Sequence, residues 1–175
     1  MALHPLLEKL TGGDRRSIGR ADEVAAEVLA EPSLFAVLID GMHADDPLIR
    51  MRAADAAEKV SAKHPEWLQP HKKTLIEQIA PISQQEVRWH AAQMFPRLQV
   101  SPAEQTAIVE ILLGYLSDKS KIVQTFSLQA LADFAERDAD LRPQVVSILR
   151  EMVNSKSAAV RSRSQKLLQK LGAEM

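Results

Sequence analysis

The sequence contains no cysteine, so it holds no disulfide framework, no thiolate zinc site and no cysteine nucleophile. Aromatic residues are almost as scarce: two Trp, one Tyr and four Phe, or 4% of 175 residues. A core cannot be built on large rings here. Alanine and leucine must fill it, which favours closely packed helices. No stretch approaches the roughly 18 apolar residues that a membrane span requires. The opening MALHPLLEKLTGGDRR is too polar and too broken for a secretory signal, and the chain reads as cytoplasmic and soluble. An excess of charge of one sign is also missing. Lys and Arg number 22 against 23 Asp and Glu, a net charge of -1, whereas a generic polyanion binder carries a strongly basic domain. What is present, 46% hydrophobic and 26% charged residues, suffices for a buried core in one structural domain.

The chain repeats itself, and the period decides the architecture. Residues 49–60 (IRMRAADAAEKV), 87–98 (VRWHAAQMFPRL), 123–134 (VQTFSLQALADF) and 160–171 (VRSRSQKLLQKL) superimpose with spacings of 38, 36 and 37 residues. Within each segment, apolar or small residues recur at offsets 0, 4, 7, 8 and 11, which fall on one side of a helix at ~100° per residue. Ahead of each lies another apolar stretch, at 34–42, 75–79, 108–116 and 145–153. Each unit is therefore a helical hairpin. Asp46-Pro47, Ser83 to Glu86 and Ser101 to Glu104 have the spacing of helix starts, Gly172 stands where the last helix should stop, and Pro96 should bend or end the second repeat's helix.

Four repeats are expected at about 32–61, 65–99, 102–137 and 140–172. Residues 1–31 fit the register poorly, because Asp22 and Glu23 fall where the other copies place small core residues. Helices near 3–10 and 18–30 are expected there, as a degenerate terminal cap.

The pattern Val-Arg-x-x-Ala-Ala-x-x-Leu in the second helices, seen in VRWHAAQMF and IRMRAADAA, together with the Asp-Pro ahead of Ile49, resembles the HEAT-repeat family of armadillo-type helical proteins. The resemblance spans residues 33–171. It implies an all-α fold, a right-handed α-α superhelix of about four helical-hairpin repeats, with the second helices lining its inner surface. It also implies that Arg50, Arg88 and Arg161 form a ladder contacting carbonyls or acids of the neighbouring repeat, with Gln124 replacing the arginine in the third copy.

Stacked repeats turn each alignment column into a row on the surface. Offset 2, which points away from the core, carries Met51, Trp89, Thr125 and Ser162; offset 6 carries Asp55, Gln93, Gln129 and Lys166. Trp89 is not required by the core pattern. Met51 and Trp89 would form an apolar anchor edged by Arg52, Asp55, His90, Gln93 and Arg97, with Arg163 in the corresponding row of the last repeat. Large apolar anchors with arginine rims mark interaction hot spots. The competing reading packs Trp89 beneath a neighbouring loop or side chain. The second helices carry eleven basic against five acidic residues, so an acidic protein segment is the partner that face would suit, with a nucleic-acid backbone as the alternative.

Catalytic signals are missing. His4, His43, His64, His71 and His90 include no pair at i, i+3 or i+4, and no His-Glu dipeptide of the kind found in HEAT-repeat hydroxylases occurs. There is no phosphate loop and no nucleophile elbow. Resemblance to the HEAT-like alkylpurine DNA glycosylases would place Trp89 and Asp55 in the aromatic and carboxylate roles, without the strongly basic face of those enzymes. The expectation is a non-enzymatic binding module with no metal and no cofactor. Self-association through the apolar end around Leu167, Leu168 and Leu171 is a further alternative.

Overall fold

The structure is a computed structural model that describes residues 2–174. Its helices fall into two compact units, residues 1–99 and 100–175. Among the described residues there is no strand.

The first unit contains α1 (Pro5–Glu8), α2 (Ala21–Ala30), α3 (Phe35–Gly41), α4 (Pro47–Lys63), α5 (Lys72–Thr74) and α6 (Gln85–Met94). α4 is its spine, packed against α2, α3 and α6. It can touch helices on three sides because Ala53, Ala54, Ala56 and Ala57 are all fully buried and let neighbouring backbones approach. The closest approach is at Gly41, where a Cβ would lie 2.9 Å from Cβ of Ala53 and 2.7 Å from Cδ2 of Leu7. Asp46 starts α4 as expected, its carboxylate accepting from Leu48 N at 2.8 Å with Pro47 in the first turn.

The first helix of the next hairpin is irregular. A 3₁₀ stretch, Pro65–His71, contains Pro70; α5 follows and passes into a π turn, Leu75–Ile79, closed by Ala80 N to Leu75 O at 2.9 Å. The proline withholds a donor from the regular ladder, and the wider turn keeps Leu75 and Ile79 in the core. Trp67 packs on this side, stacked on His64 at 4.2 Å and 6.1 Å from Phe35. α6 ends at Met94, and Phe95–Arg97 tightens into a 3₁₀ turn around Pro96, the break its position requires.

The second unit contains α7 (Pro102–Tyr115), α8 (Lys121–Arg137), α9 (Arg142–Met152) and α10 (Ala158–Lys170). α8 packs against α7, α9 and α10 around Leu112, Leu128, Leu131, Phe134, Leu149 and Leu168. Ser101 and Glu104 close a reciprocal capping box, with Ser101 N donating to Glu104 Oε2 at 2.7 Å and Glu104 N to Ser101 Oγ at 3.2 Å. Gly172, at φ +66°, ends α10, and Ala173 N reaches back to Leu168 O at 2.9 Å.

The second start signal works differently. Ser83 does not cap α6; the N-cap is Gln84, whose side chain makes no cap bond. Instead its Nε2 donates to Pro47 O at 2.8 Å and its Oε1 accepts from Arg50 Nε at 2.9 Å. Gln84 thus ties α6 to the start of α4.

Candidate functional site

The second helices place their polar side chains in recurring rows. At offset 1, Arg50 Nη1 donates to Ala44 O at 2.8 Å, Arg88 Nε to Ile82 O at 3.1 Å, Gln124 Nε2 to Asp118 O at 2.7 Å, and Arg161 Nη1 to Ser155 O at 2.8 Å. Each acceptor lies six residues upstream, in the loop of the same hairpin. The row is a loop clamp within each repeat, and Arg50 Nε in addition donates to Gln84 Oε1 of the next repeat at 2.9 Å. Gln124 performs the same task with one amide.

A second row joins successive second helices. In the first unit Lys59 reaches back to Asp22, and Arg97 to Glu58, donating to its carboxylate at 2.6 Å, its carbonyl at 2.9 Å and Ser61 Oγ at 2.8 Å. In the second unit Lys170 Nζ lies 3.1 Å from Asp133 and 3.0 Å from Glu136, and Arg163 Nη1 donates to Gln129 Oε1 at 2.7 Å. Arg50, Arg52, Lys59, Arg88, Arg97, Arg161, Arg163 and Lys170 are therefore engaged within the chain, whereas Lys63, Lys121 and Lys166 are exposed cations outside these rows. Asp22, out of pattern in the sequence, is a partner in the row.

Arg52 has a different occupation. It is 2% exposed, and its guanidinium donates to five backbone carbonyls of the segment leading to α2: Leu10 at 2.8 Å, Thr11 at 3.3 Å, Gly12 at 2.6 Å, Asp14 at 3.3 Å and Ser17 at 3.1 Å. Among the described residues no carboxylate is bonded to it; carbonyl dipoles carry the compensation. The segment can wrap so tightly because Gly12, Gly13 and Gly19 adopt φ +77°, +78° and +55°.

This loop lies over α4, and Met51 is 6% exposed, so the expected pairing of Met51 with Trp89 on an open face is not what the structure shows. Arg52 and His90, expected at a solvent rim, are buried as well. Arg52 is buried by its bonds to a loop with no helical periodicity, which the repeat pattern does not register, while His90 faces Asp55 of α4.

A cavity of about 230 Å³ remains between the loop and the second helices, lined by Arg15, Arg16, Ser17 and Ile18 above and by Met51, Asp55, Glu86, Trp89 and His90 below. Trp89 is half-buried at its edge, its ring 5.7 Å from that of His90. Asp55 Oδ2 accepts from Lys59 Nζ at 2.7 Å, while Oδ1 faces His90 Nε2 at 3.9 Å, beyond hydrogen-bond reach. Burial holds the His90 imidazole below its ordinary pKa of 6.5, against the opposing pull of Asp55, Glu58 and Glu86, and its buried Nδ1 has no hydrogen-bond partner.

Of the residues singled out in the sequence, Met51, Asp55, Trp89 and His90 converge on this cavity. Gln93 sits a turn beyond on α6, donating to Trp89 O at 3.3 Å. Arg52 fastens the loop, Arg97 clamps α6 to α4, and Arg163 belongs to the second unit. Glu86 and the loop residues were not anticipated. Glu86 precedes Trp89 and His90 by three and four positions, the spacing that shares a helix face, and would have been found by it.

A second cavity, about 420 Å³, opens in the second unit between α7 and the α8–α9 connection. Its Asp138 is committed to structure, accepting from Gln105 Nε2 at 2.6 Å and from Asp140 N at 2.9 Å at the start of α9. It contains no aromatic residue and no buried unpartnered group.

Among the described residues, no helix is long and apolar enough to cross a membrane, and no group of His, Asp and Glu has metal-binding arrangement. The family model described as a HEAT repeat domain matches residues 8–171. The crystal structure of an engineered protein from the Northeast Structural Genomics Consortium is similar in fold, with a TM-score of 0.65 at 20% identity over 96% of this chain and 79% of that one. No curated protein matches at a significant level.

Proposed function

Because the chain belongs to the HEAT-repeat domain family, we propose that it is a non-enzymatic protein-binding module in which a partner segment docks on the second-helix side of the first unit, at Trp89. The observation that carries this reading is the half-buried indole at the edge of a cavity of about 230 Å³ whose floor holds both apolar and polar groups. Binding hot spots have this anatomy, an aromatic anchor beside a pocket a partner side chain can fill. Polyanion binding draws less support, since most second-helix bases are engaged by the chain's own carbonyls and carboxylates.

The reading is tested by selecting peptides from a random displayed library on the intact protein and re-testing them on Trp89→Ala. Enriched peptides should lose at least about tenfold in affinity, the scale of an interface hot spot, while Gln144→Ala in the second unit leaves them unchanged. Circular dichroism melting checks that Trp89→Ala is folded. Peptides that bind Trp89→Ala as well as the parent place the docking surface elsewhere, and duplex DNA binding that weakens steeply with salt would favour the nucleic-acid alternative.

A further inference from the structure

We propose that the cavity beside Trp89 receives the cationic end of a basic side chain, an arginine or lysine presented by the partner segment; this rests on the reading of Trp89 as part of a protein-docking face. The polar floor of the cavity is acidic. Asp55 has a side chain 15% exposed, and its Oδ1 has no hydrogen bond, because the neighbouring His90 Nε2 stands 3.9 Å away. Glu86, one turn before Trp89 on the same face of α6, makes no hydrogen bond or ion pair with the described residues. Two carboxylates with free acceptor capacity in a half-enclosed site are a cost to the fold that an incoming cation relieves.

His90 does not supply that cation. Burial keeps its ring neutral near pH 7, and its buried Nδ1 makes no hydrogen bond with the described residues. Lys59 is shared between Asp55 Oδ2 and Asp22 and leaves the other oxygen of Asp55 unbonded. The lining suits the stem of a basic side chain: Met51 and Ile18 are apolar, and Trp89 is an aromatic residue of the kind that attracts a guanidinium or ammonium.

Arg15 and Arg16 border the mouth without entering the floor. Arg16 is bonded to Asp14 at 2.9 Å with its side chain 90% exposed, and Arg15 is exposed in the loop. From solvent inward the charge therefore changes from basic to acidic. An acidic residue would meet Asp55 and Glu86 at depth, where like charges repel most strongly.

Trp67→Phe leaves Trp89 as the sole tryptophan and makes its fluorescence a reporter. The probe is a capped Gly-Ser-Gly-Arg-Gly-Ser-Gly peptide, compared with the same peptide carrying citrulline or glutamate in place of arginine. The arginine peptide should give a saturable change at millimolar concentration that weakens with salt. The citrulline peptide should bind at least about tenfold more weakly, and Glu86→Gln and Asp55→Asn should each weaken the arginine peptide by about tenfold, the scale of one charge-assisted hydrogen bond. Because Asp55 also supports Lys59, Glu86→Gln is the deciding variant if Asp55→Asn melts early. Equal binding of arginine and citrulline peptides, stronger binding of the glutamate peptide, or no change at saturating peptide overturns the assignment. If library peptides depend on Trp89 yet carry no basic residue, the docking face stands and the cation assignment falls; if they ignore Trp89, the docking face itself falls.

Discussion

A Cβ placed on Gly19 would lie 2.8 Å from Cζ of Arg52, the guanidinium around which the loop before α2 is wound. Gly19 also has φ +55°, a conformation that costs a side-chain-bearing residue about 1–2 kcal/mol. Gly12 shares the positive φ, at +77°, but a Cβ there meets nothing within 4 Å. Gly12→Ala should therefore lower stability by about 1 kcal/mol. Gly19→Ala should lose about 1–3 kcal/mol more, since the contact adds overpacking against a side chain held by its hydrogen bonds. Urea midpoints of the two variants measure the difference, and equal losses would mean that Arg52 yields freely.

Removing the pin should release the loop. In Arg52→Leu the carbonyls of Leu10, Thr11, Gly12, Asp14 and Ser17 lose their shared donor. Most can turn to water, so the loss of stability should be about 2 kcal/mol, near that of one hydrogen bond to a charged group. The larger effect is local. Trypsin cleavage after Arg15 and Arg16 should accelerate by at least about tenfold, and amide exchange across residues 11–19 should rise, while exchange in α8 of the second unit stays unchanged.

The hairpin arrangement was legible in the sequence because it rests on a simple physical requirement. Positions such as Ala53, Ala57, Val87 and Leu131 must be small or apolar to let helices stack, and that requirement recurs with the repeat. The environment of Met51, Arg52 and His90 was not legible. What covers Met51 is a loop with glycine turns, and what Arg52 bonds to are backbone carbonyls 35 to 42 residues upstream, which have no residue-type signature. The second-helix excess of positive charge misled for the same reason: composition counts charges without showing which are already met by a carbonyl or carboxylate. Trp89 was legible as an exception to the core pattern, whereas Glu86 and Ile18 became part of the site only when the loop position was known.

The loop-clamp row predicts graded costs. Gln124→Ala removes one neutral bond to Asp118 O and should lower stability by about 1 kcal/mol. Arg161→Ala removes charge-assisted bonds to Ser155 O and Lys156 O and should cost about 2 kcal/mol. Gln124→Arg should retain the parent's stability within about 0.5 kcal/mol, because the other copies show that an arginine reaches the carbonyl six residues upstream. A loss above about 1 kcal/mol for Gln124→Arg would show that the third hairpin has no room for the longer side chain.

Gly41 sets the approach of α3 to α4. A Cβ there meets Leu7 Cδ2 at 2.7 Å and Ala53 Cβ at 2.9 Å, so Gly41→Ala should destabilise by about 1–3 kcal/mol through overpacking. Ala53→Gly removes one of the two obstacles. In the double variant the two losses should combine to less than their sum, and strict additivity in a double-mutant cycle would mean that the added methyl is accommodated by moving Leu7 alone.

Stability should fall as pH drops through the ordinary histidine pKa of 6.5, because burial lowers the pKa of His90 in the folded chain despite Asp55, Glu58 and Glu86. Above 6.5 the ring is neutral in both folded and unfolded states, so no penalty arises. As pH drops below that value the unfolded chain binds the proton first, and stability is lost until the lower folded-state pKa is passed. His71, also lowered by burial, contributes in the same direction. Carboxylates lowered in the folded state, such as Asp14 beside Arg16, act at more acidic pH, because their ordinary values lie near 4. Melting temperatures of the parent, His90→Gln and His71→Gln across this window separate the contributions: each variant should flatten part of the slope, whatever its absolute stability. A His90→Gln variant with the full parental slope would mean that His90 takes up its proton in the folded chain as readily as in the unfolded one.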